Sequence, residues 1–128
     1  MQILYYFILG HFQATIRTYI HNQQIFQNII ENAIKYMGDQ KNPRIEIGVK
    51  NIEGKDYVYV KDNGKGIPLE HKEKIFNLFE RFDEDTEGTG VGLAIVKKIV
   101  KLYNGDIKVE SEEGKGSTFY IYIPQKGS

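Results

Sequence analysis

The sequence predicts an α+β fold, a two-layer α/β sandwich in which a mixed, mostly antiparallel sheet is covered on one face by about three helices. Two observations carry that prediction. The alternating segments RIEIGVK and YVYVKD are joined by NIEGKD, and DIKVES and STFYIYI are joined by EEGKG. Such hairpins demand antiparallel pairing. Two long stretches also repeat apolar residues at helical spacing, and their apolar faces need a sheet face to cover.

Taken in order, the chain opens on MQILYYFILG, which is apolar but shorter than the about 20 residues that cross a bilayer. It lacks the basic start and small-residue cleavage site of a signal peptide, and its aromatic residues suit a strand or a packing surface. ATIRT (14–18) reads as a short strand. From about 19 to 37, Ile25, Ile29, Ala33 and Tyr36, with Phe26, Ile30 and Met37 beside them, mark an amphipathic helix. Thr18 is its expected N-cap, and Gly38 with Asp39 its stop. The first hairpin follows, then the loop DNGKGIP (62–68), a short helix over LEHKEKIFNLF (69–79), and the polar stretch RFDEDTE (81–87). A second long helix spans 91–104, closed by Asn104 and Gly105, and the second hairpin ends the pattern.

Composition narrows the function classes. The 17 lysines and arginines balance 17 aspartates and glutamates, so nothing favours nucleic acid or an acidic membrane face. With no cysteine, disulfide frameworks and thiol chemistry are excluded. His11, His21 and His71 show no metal-ligand spacing. The reading is a single cytoplasmic domain without direct membrane contact.

Three patterns carry chemistry. EGTGVGLAIVKKIV (87–100) places Gly88, Gly90 and Gly92 at a helix entrance, where free N–H groups and a partial positive charge favour phosphate. It lacks the GK[ST] of a Walker A loop, and a polar loop rather than a strand precedes it. DNGKGI (62–67) puts a carboxylate at a strand end, suited to an exocyclic amine, with Gly64 and Gly66 leaving room for a flat ring against the backbone. NIIENAIKY (28–36) sets Asn28, Asn32 and Lys35 on one helix face, where an amide oxygen suits Mg²⁺ and the lysine a phosphate. Each pattern alone has an ordinary structural reading: a flexible loop, an Asx-type turn, a solvated helix face.

Together, in this order, they resemble the ATP-binding domain of sensor histidine kinases, in the superfamily shared with DNA gyrase, the ninety-kilodalton heat-shock chaperones and the mismatch-repair ATPases. The resemblance runs from about Thr18 to Pro124. NIIENAIKY is similar to the N box, DNGKGI to the first glycine box, IFNLFERF (75–82) to the F box, and EGTGVGLAIVKKIV to the second glycine box. GKGSTFYIYIP resembles the closing strand. The resemblance implies a Bergerat-type fold over 18–124, with 1–17 as an N-terminal segment packing on the domain and 125–128 as a tail.

It further implies ATP and Mg²⁺ as cofactors and assigns roles. Asp62 meets the adenine amine, with Gly64, Gly66 and Ile67 beside the ring and Thr118 helping through water. Asn32 holds Mg²⁺ with Asn28 assisting, while Lys35 and Tyr36 contact phosphate and the nucleotide edge. Arg81 meets the γ-phosphate, and Gly88, Thr89, Gly90, Gly92 and Leu93 form the hinge and phosphate cradle of the ATP lid. Phe76 and Phe79 read as core, and Phe82 as an anchor for the lid or a partner helix.

Asn28 stands where related ATPases and anti-sigma serine kinases carry a glutamate base. An amide cannot take a proton, whereas a neutral imidazole is already nucleophilic. The expectation is therefore a catalytic half that phosphorylates a histidine on a separate dimerisation domain, in cis or trans, upstream of a response regulator. Glu31 is the nearby carboxylate, about 100° around the helix from Asn32. None of the three histidines has the flanking residues of a phosphoacceptor. The alternatives are a free-standing anti-sigma-type serine kinase and a non-catalytic nucleotide-binding module.

Overall fold

The computed structural model describes residues 2–5, 16–77 and 91–124, with side chains for 21–77 and 91–124. The elements are β1 (Gln2–Tyr5), α1 (Ile16–Lys35), β2 (Arg44–Ile52), β3 (Lys55–Asp62), a 3-10 turn (Leu69–His71), α2 (Gly92–Leu102), β4 (Asp106–Glu112) and β5 (Gly116–Tyr122). The sheet runs β1-β2-β3-β5-β4. β2, β3, β5 and β4 pair with one another antiparallel, and β1 joins β2 in parallel through α1, the kind of crossover that parallel pairing requires.

The N-terminal region departs from the sequence reading. Ile16, Arg17 and Thr18 lie inside α1, so ATIRT is not a strand over those residues and Thr18 is not the cap. Adding a turn to an existing helix needs no new nucleus, and that outweighs the weak strand preference of a few β-branched residues. The first strand lies upstream, within MQILYYFILG.

The short helix is also less than expected. Only Leu69–His71 forms a 3-10 turn, and irregular turns carry the chain onward, with Ile75 N donating to His71 O and Asn77 N to Lys74 O. Pro68 offers no side-chain cap, Leu69 is 80% exposed, and only Ile75 is buried, too little to hold a full amphipathic helix. Residues 78–79 lie outside the described part. Among the described residues, the cover is therefore two α-helices and one 3-10 turn.

The core lies between the two helices and one sheet face. Ile25, Ile29, Ala33 and Met37 of the α1 region and Leu93, Val96, Ile99 and Val100 of α2 meet Ile45, Ile47, Val58, Val60, Phe119 and Ile121. Their alternation along β2, β3 and β5 follows from the two-residue period of a strand. At the end of α2, Asn104 takes a positive φ of 56°, with Gly105 N donating to Val100 O and Asn104 N to Lys101 O. This Schellman-type stop satisfies carbonyls that the helix leaves over.

The opposite face is built differently. Tyr57 donates to Asp106 (2.7 Å), Tyr59 to Glu46 (2.8 Å) and Tyr120 to Glu110 (3.3 Å). Lys108 stands over Tyr57, Lys50 over Tyr120 and Lys55 over Tyr122. Lysine stems thus shield the rings while their charged heads reach water. Burial, reinforced by Asp106, pushes the Tyr57 phenol up to about 12.

Candidate nucleotide-binding site

The described parts of the three sequence patterns meet at α1. α1 presents Asn28, Asn32 and Lys35, and its first contact is with α2. Asn28 Nδ2 donates to Gln24 O (2.9 Å) within the helix, and a Cβ placed on Gly92 would lie 3.1 Å from Asn28 Oδ1. The missing side chain of Gly92 thus admits Asn28 to the entrance of α2. Asn32 is half-buried, and its amide has no hydrogen-bond partner among the described residues. Lys35 is exposed. Glu31 is exposed and accepts from Gln27 Nε2.

The end of α1 meets the DNGKG loop. Lys65 N donates to Tyr36 O (3.0 Å), and a Cβ on Gly64 would fall 2.6 Å from that same carbonyl. Gly66 has a φ of 74°, and a Cβ there would fall 2.2 Å from Glu112 O. Both glycines therefore make room for protein backbone, a close approach that the sequence did not announce. Gly114 N also donates to Lys65 O, so the tip of the β4–β5 hairpin grips the loop.

Asp62 closes β3 and is only 8% exposed. Its Oδ1 accepts from Gly64 N (2.9 Å) and Ser117 N (3.4 Å). Its Oδ2 has no partner among the described residues. Desolvation raises the carboxyl above its usual range, against the lowering effect of the two amides. A carboxylate held at one oxygen and open at the other is an oriented acceptor.

The structure corrects the assignment on β5. Thr118 pairs with Lys61 and Glu110, whereas Ser117 pairs with Asp62 and Ser111. Since neighbouring strand residues point to opposite faces, Thr118 belongs to the tyrosine face and Ser117 to Asp62's. The β5 residue on the face of Asp62 is thus Ser117, one position before the residue that the sequence pointed to. The alternation of buried Phe119 and Ile121 was the signal that could have placed it. Ile67 and Leu93 are buried members of the core, and the Ile67 backbone N–H donates to Ser111 Oγ (2.6 Å).

Phe76 packs edge-on against Phe119 with Lys97 over its ring, as a core reading of that residue expects. Arg81, Gly88, Thr89 and Gly90, together with Phe79 and Phe82, lie outside the described residues. Among the described residues, no three His, Cys, Asp or Glu side chains gather as a metal-binding group, and no helix is long and apolar enough to cross a membrane.

The family model described as "Histidine kinase-, DNA gyrase B-, and HSP90-like ATPase" matches residues 18–127. The methanogenesis regulatory histidine kinase FilI of Methanothrix harundinacea is 46% identical over 103 residues, covering 80% of this chain and 12% of that protein. The sensor histidine kinase WalK of Bacillus subtilis is 42% identical over 107 residues, covering 80% of this chain and 18% of that protein. This chain therefore spans a small part of the curated relatives it matches. Among solved structures, the mycobacterial sensor histidine kinase MprB aligns with a TM-score of 0.70 at 25% identity, over 82% of this chain and 70% of that one. The catalytic domain of histidine kinase ThkA aligns with a TM-score of 0.66 at 36% identity, over 82% of this chain and 66% of that one. The chain belongs to the histidine kinase-, DNA gyrase B- and HSP90-like ATPase family, as an ATP-binding catalytic domain of the sensor histidine kinase type.

Proposed function

We propose that this domain binds Mg-ATP and transfers the γ-phosphate to a histidine on a separate dimerisation domain, in cis or trans, which then supplies a response regulator in the cytoplasm. The observation that carries the reading is Asn28, which stands against the Gly92 entrance of α2 with its amide tied to Gln24. No proton acceptor occupies that place, so the nucleophile must arrive ready, as a neutral imidazole does.

Within this reading, Asp62 Oδ2 accepts from the exocyclic amine of adenine. Asn32 offers an unpartnered amide oxygen, the hard donor that Mg²⁺ takes, and Mg²⁺ uses few protein ligands because phosphates and waters fill the rest. Bound there, Mg²⁺ would neutralise charge on the phosphates. Asn28 assists Asn32, Lys35 and Tyr36 meet phosphate and the nucleotide edge, and Arg81 and the lid glycines, by the family resemblance, serve the γ-phosphate. The bond from γ-phosphorus to the bridging oxygen breaks, ADP leaves, and a phosphorus–nitrogen bond forms on the acceptor imidazole.

The test supplies the chain with separately expressed histidine-bearing dimerisation domains and γ-labelled ATP. Acid-labile, base-stable label on a histidine is the expected result. Label on serine, or tight ADP binding with no label on any such domain, overturns the proposal.

A further inference from the structure

β4 ends the sheet on one side, with β5 as its neighbour and no strand beyond it among the described residues. The outward N–H and C=O groups of alternate β4 residues are therefore open to another strand. Its register with β5 runs unbroken from Asp106 to Glu112, without a bulge, and DIKVESE holds neither proline nor glycine. Lysine commonly guards such an edge, but the Lys108 ammonium lies 5.2 Å from the centroid of the Tyr57 ring, drawn inward across β5. An exposed cation over a ring is weakly held, so Lys108 is free to turn to a carboxylate set opposite it.

The charge order along β4 supplies that carboxylate from β4 itself. A second β4 laid antiparallel along the edge, with the two-fold axis at Val109, sets Val109 against Val109, Ile107 against Ser111 and Lys108 against Glu110 of the second copy. Lys108 and Glu110 are both exposed on the tyrosine face, and the axis repeats their pairing, so opposite charges meet twice. Moving the axis by one residue sets Lys108 against Lys108 or Glu110 against Glu110. Placing it between residues opposes side chains of opposite faces. At the two ends Asp106 meets Glu112, where Lys115, 3.3 Å from Glu112, adds a cation, and Tyr57 already donates to Asp106. β1, the other edge, has only four residues.

We propose that β4 is a self-complementary edge that pairs with β4 of a second copy of this chain, antiparallel and centred on Val109. The two sheets then continue into one, with both helix layers on one side and both tyrosine faces on the other. A single strand pair is a small contact, so the association is weak and transient, and the charges fix its register more than its strength.

The experiment is sedimentation velocity of the whole chain over a concentration series, on wild type, Lys108→Glu, Glu110→Lys and an equimolar mixture of the two variants. Wild type is expected to dimerise as concentration rises. Each variant alone sets like charges opposite at both pairs and should weaken the dimer by about tenfold or more. The mixture should regain it, because glutamate then faces lysine at both pairs. Neither side chain belongs to the nucleotide site, so unchanged ADP binding checks the fold of each variant. If a variant does not fold, single cysteines in this cysteine-free chain take its place. Val109→Cys should form disulfide-linked dimers on air oxidation, since directly opposed Cα atoms lie about 5.5 Å apart. Ile107→Cys should not, since its copies stand about 13 Å apart along the strands. Wild type that stays monomeric at every concentration, a mixture that associates no better than its components, or equal linking of both cysteine variants overturns the inference. None of these readouts involves phosphate transfer, so this inference and the proposed function stand or fall separately.

Discussion

Gly66→Ala separates two explanations of the DNGKG loop. From the sequence, Gly66 leaves room for a ring; in the structure it leaves room for the carbonyl of Glu112, which a Cβ would approach to 2.2 Å. Carbon and carbonyl oxygen ordinarily meet at about 3.3 Å, so one of the two segments must move. A left-handed φ costs an alanine roughly 1–2 kcal/mol, and forced overpacking costs about 1–3 kcal/mol more. The expected loss is about 2–5 kcal/mol, a large share of the roughly 5–15 kcal/mol that holds a small domain folded. Gly54→Ala is the control, since Gly54 has a φ of 83° and open space around its Cβ position. It should lose only the roughly 1–2 kcal/mol of backbone strain. Urea unfolding of both variants, with unchanged slopes, measures the difference directly. Equal losses in the two variants would refute the Glu112 contact. Full stability of Gly66→Ala with lost ADP binding would restore the ring explanation.

Three further outcomes follow from the same geometry. Asp62→Asn keeps an oxygen for the Gly64 and Ser117 amides but never ionises. Because burial raises the folded carboxyl, the native state holds its proton more tightly than the unfolded chain, and wild-type stability should fall as pH rises from about 4 through the raised value. Thermal melts across pH should show the variant lacking that fall and outlasting wild type above it, while ADP binding is lost. Tyr57→Phe removes the bond to Asp106 and should cost about 0.5–1.5 kcal/mol without changing ADP affinity, since Tyr57 lies on the far face of the sheet. In wild type the Tyr57 phenol rises from 10.0 to about 12, so alkaline melts should show stability declining across that window, and Tyr57→Phe should remove that component. Asn32→Ala should leave the melting temperature nearly unchanged, because its amide bonds nothing among the described residues. It should abolish the gain in ADP affinity that Mg²⁺ provides over metal-free titration, and a persisting gain would remove Asn32 from the metal site.

Much of the fold was legible because its signals are local. Strand alternation marked β2 to β5, and Glu53 with Gly54, both at positive φ, form the turn that the NIEGKD segment announced. The helical period of α1 was equally plain, yet its start was not. Whether Ile16 to Thr18 join the helix is decided by helix propagation, and five residues carry too little signal to show it. The 3-10 turn failed similarly, since its length depends on how much apolar surface the rest of the domain can cover.

By itself, the sequence determined the order of elements, the family boxes and the identity of the oriented carboxylate, Asp62. These depend on spacing along the chain, which the chain records. Only the tertiary structure decided which strand residue stands beside Asp62, because register between β3 and β5 sets Ser117 there and turns Thr118 away. Only it showed that Gly64 and Gly66 yield to the Tyr36 and Glu112 carbonyls, and that Ser111 binds the Ile67 amide. Close approach between segments distant in sequence is a property of packing, and no local pattern encodes it.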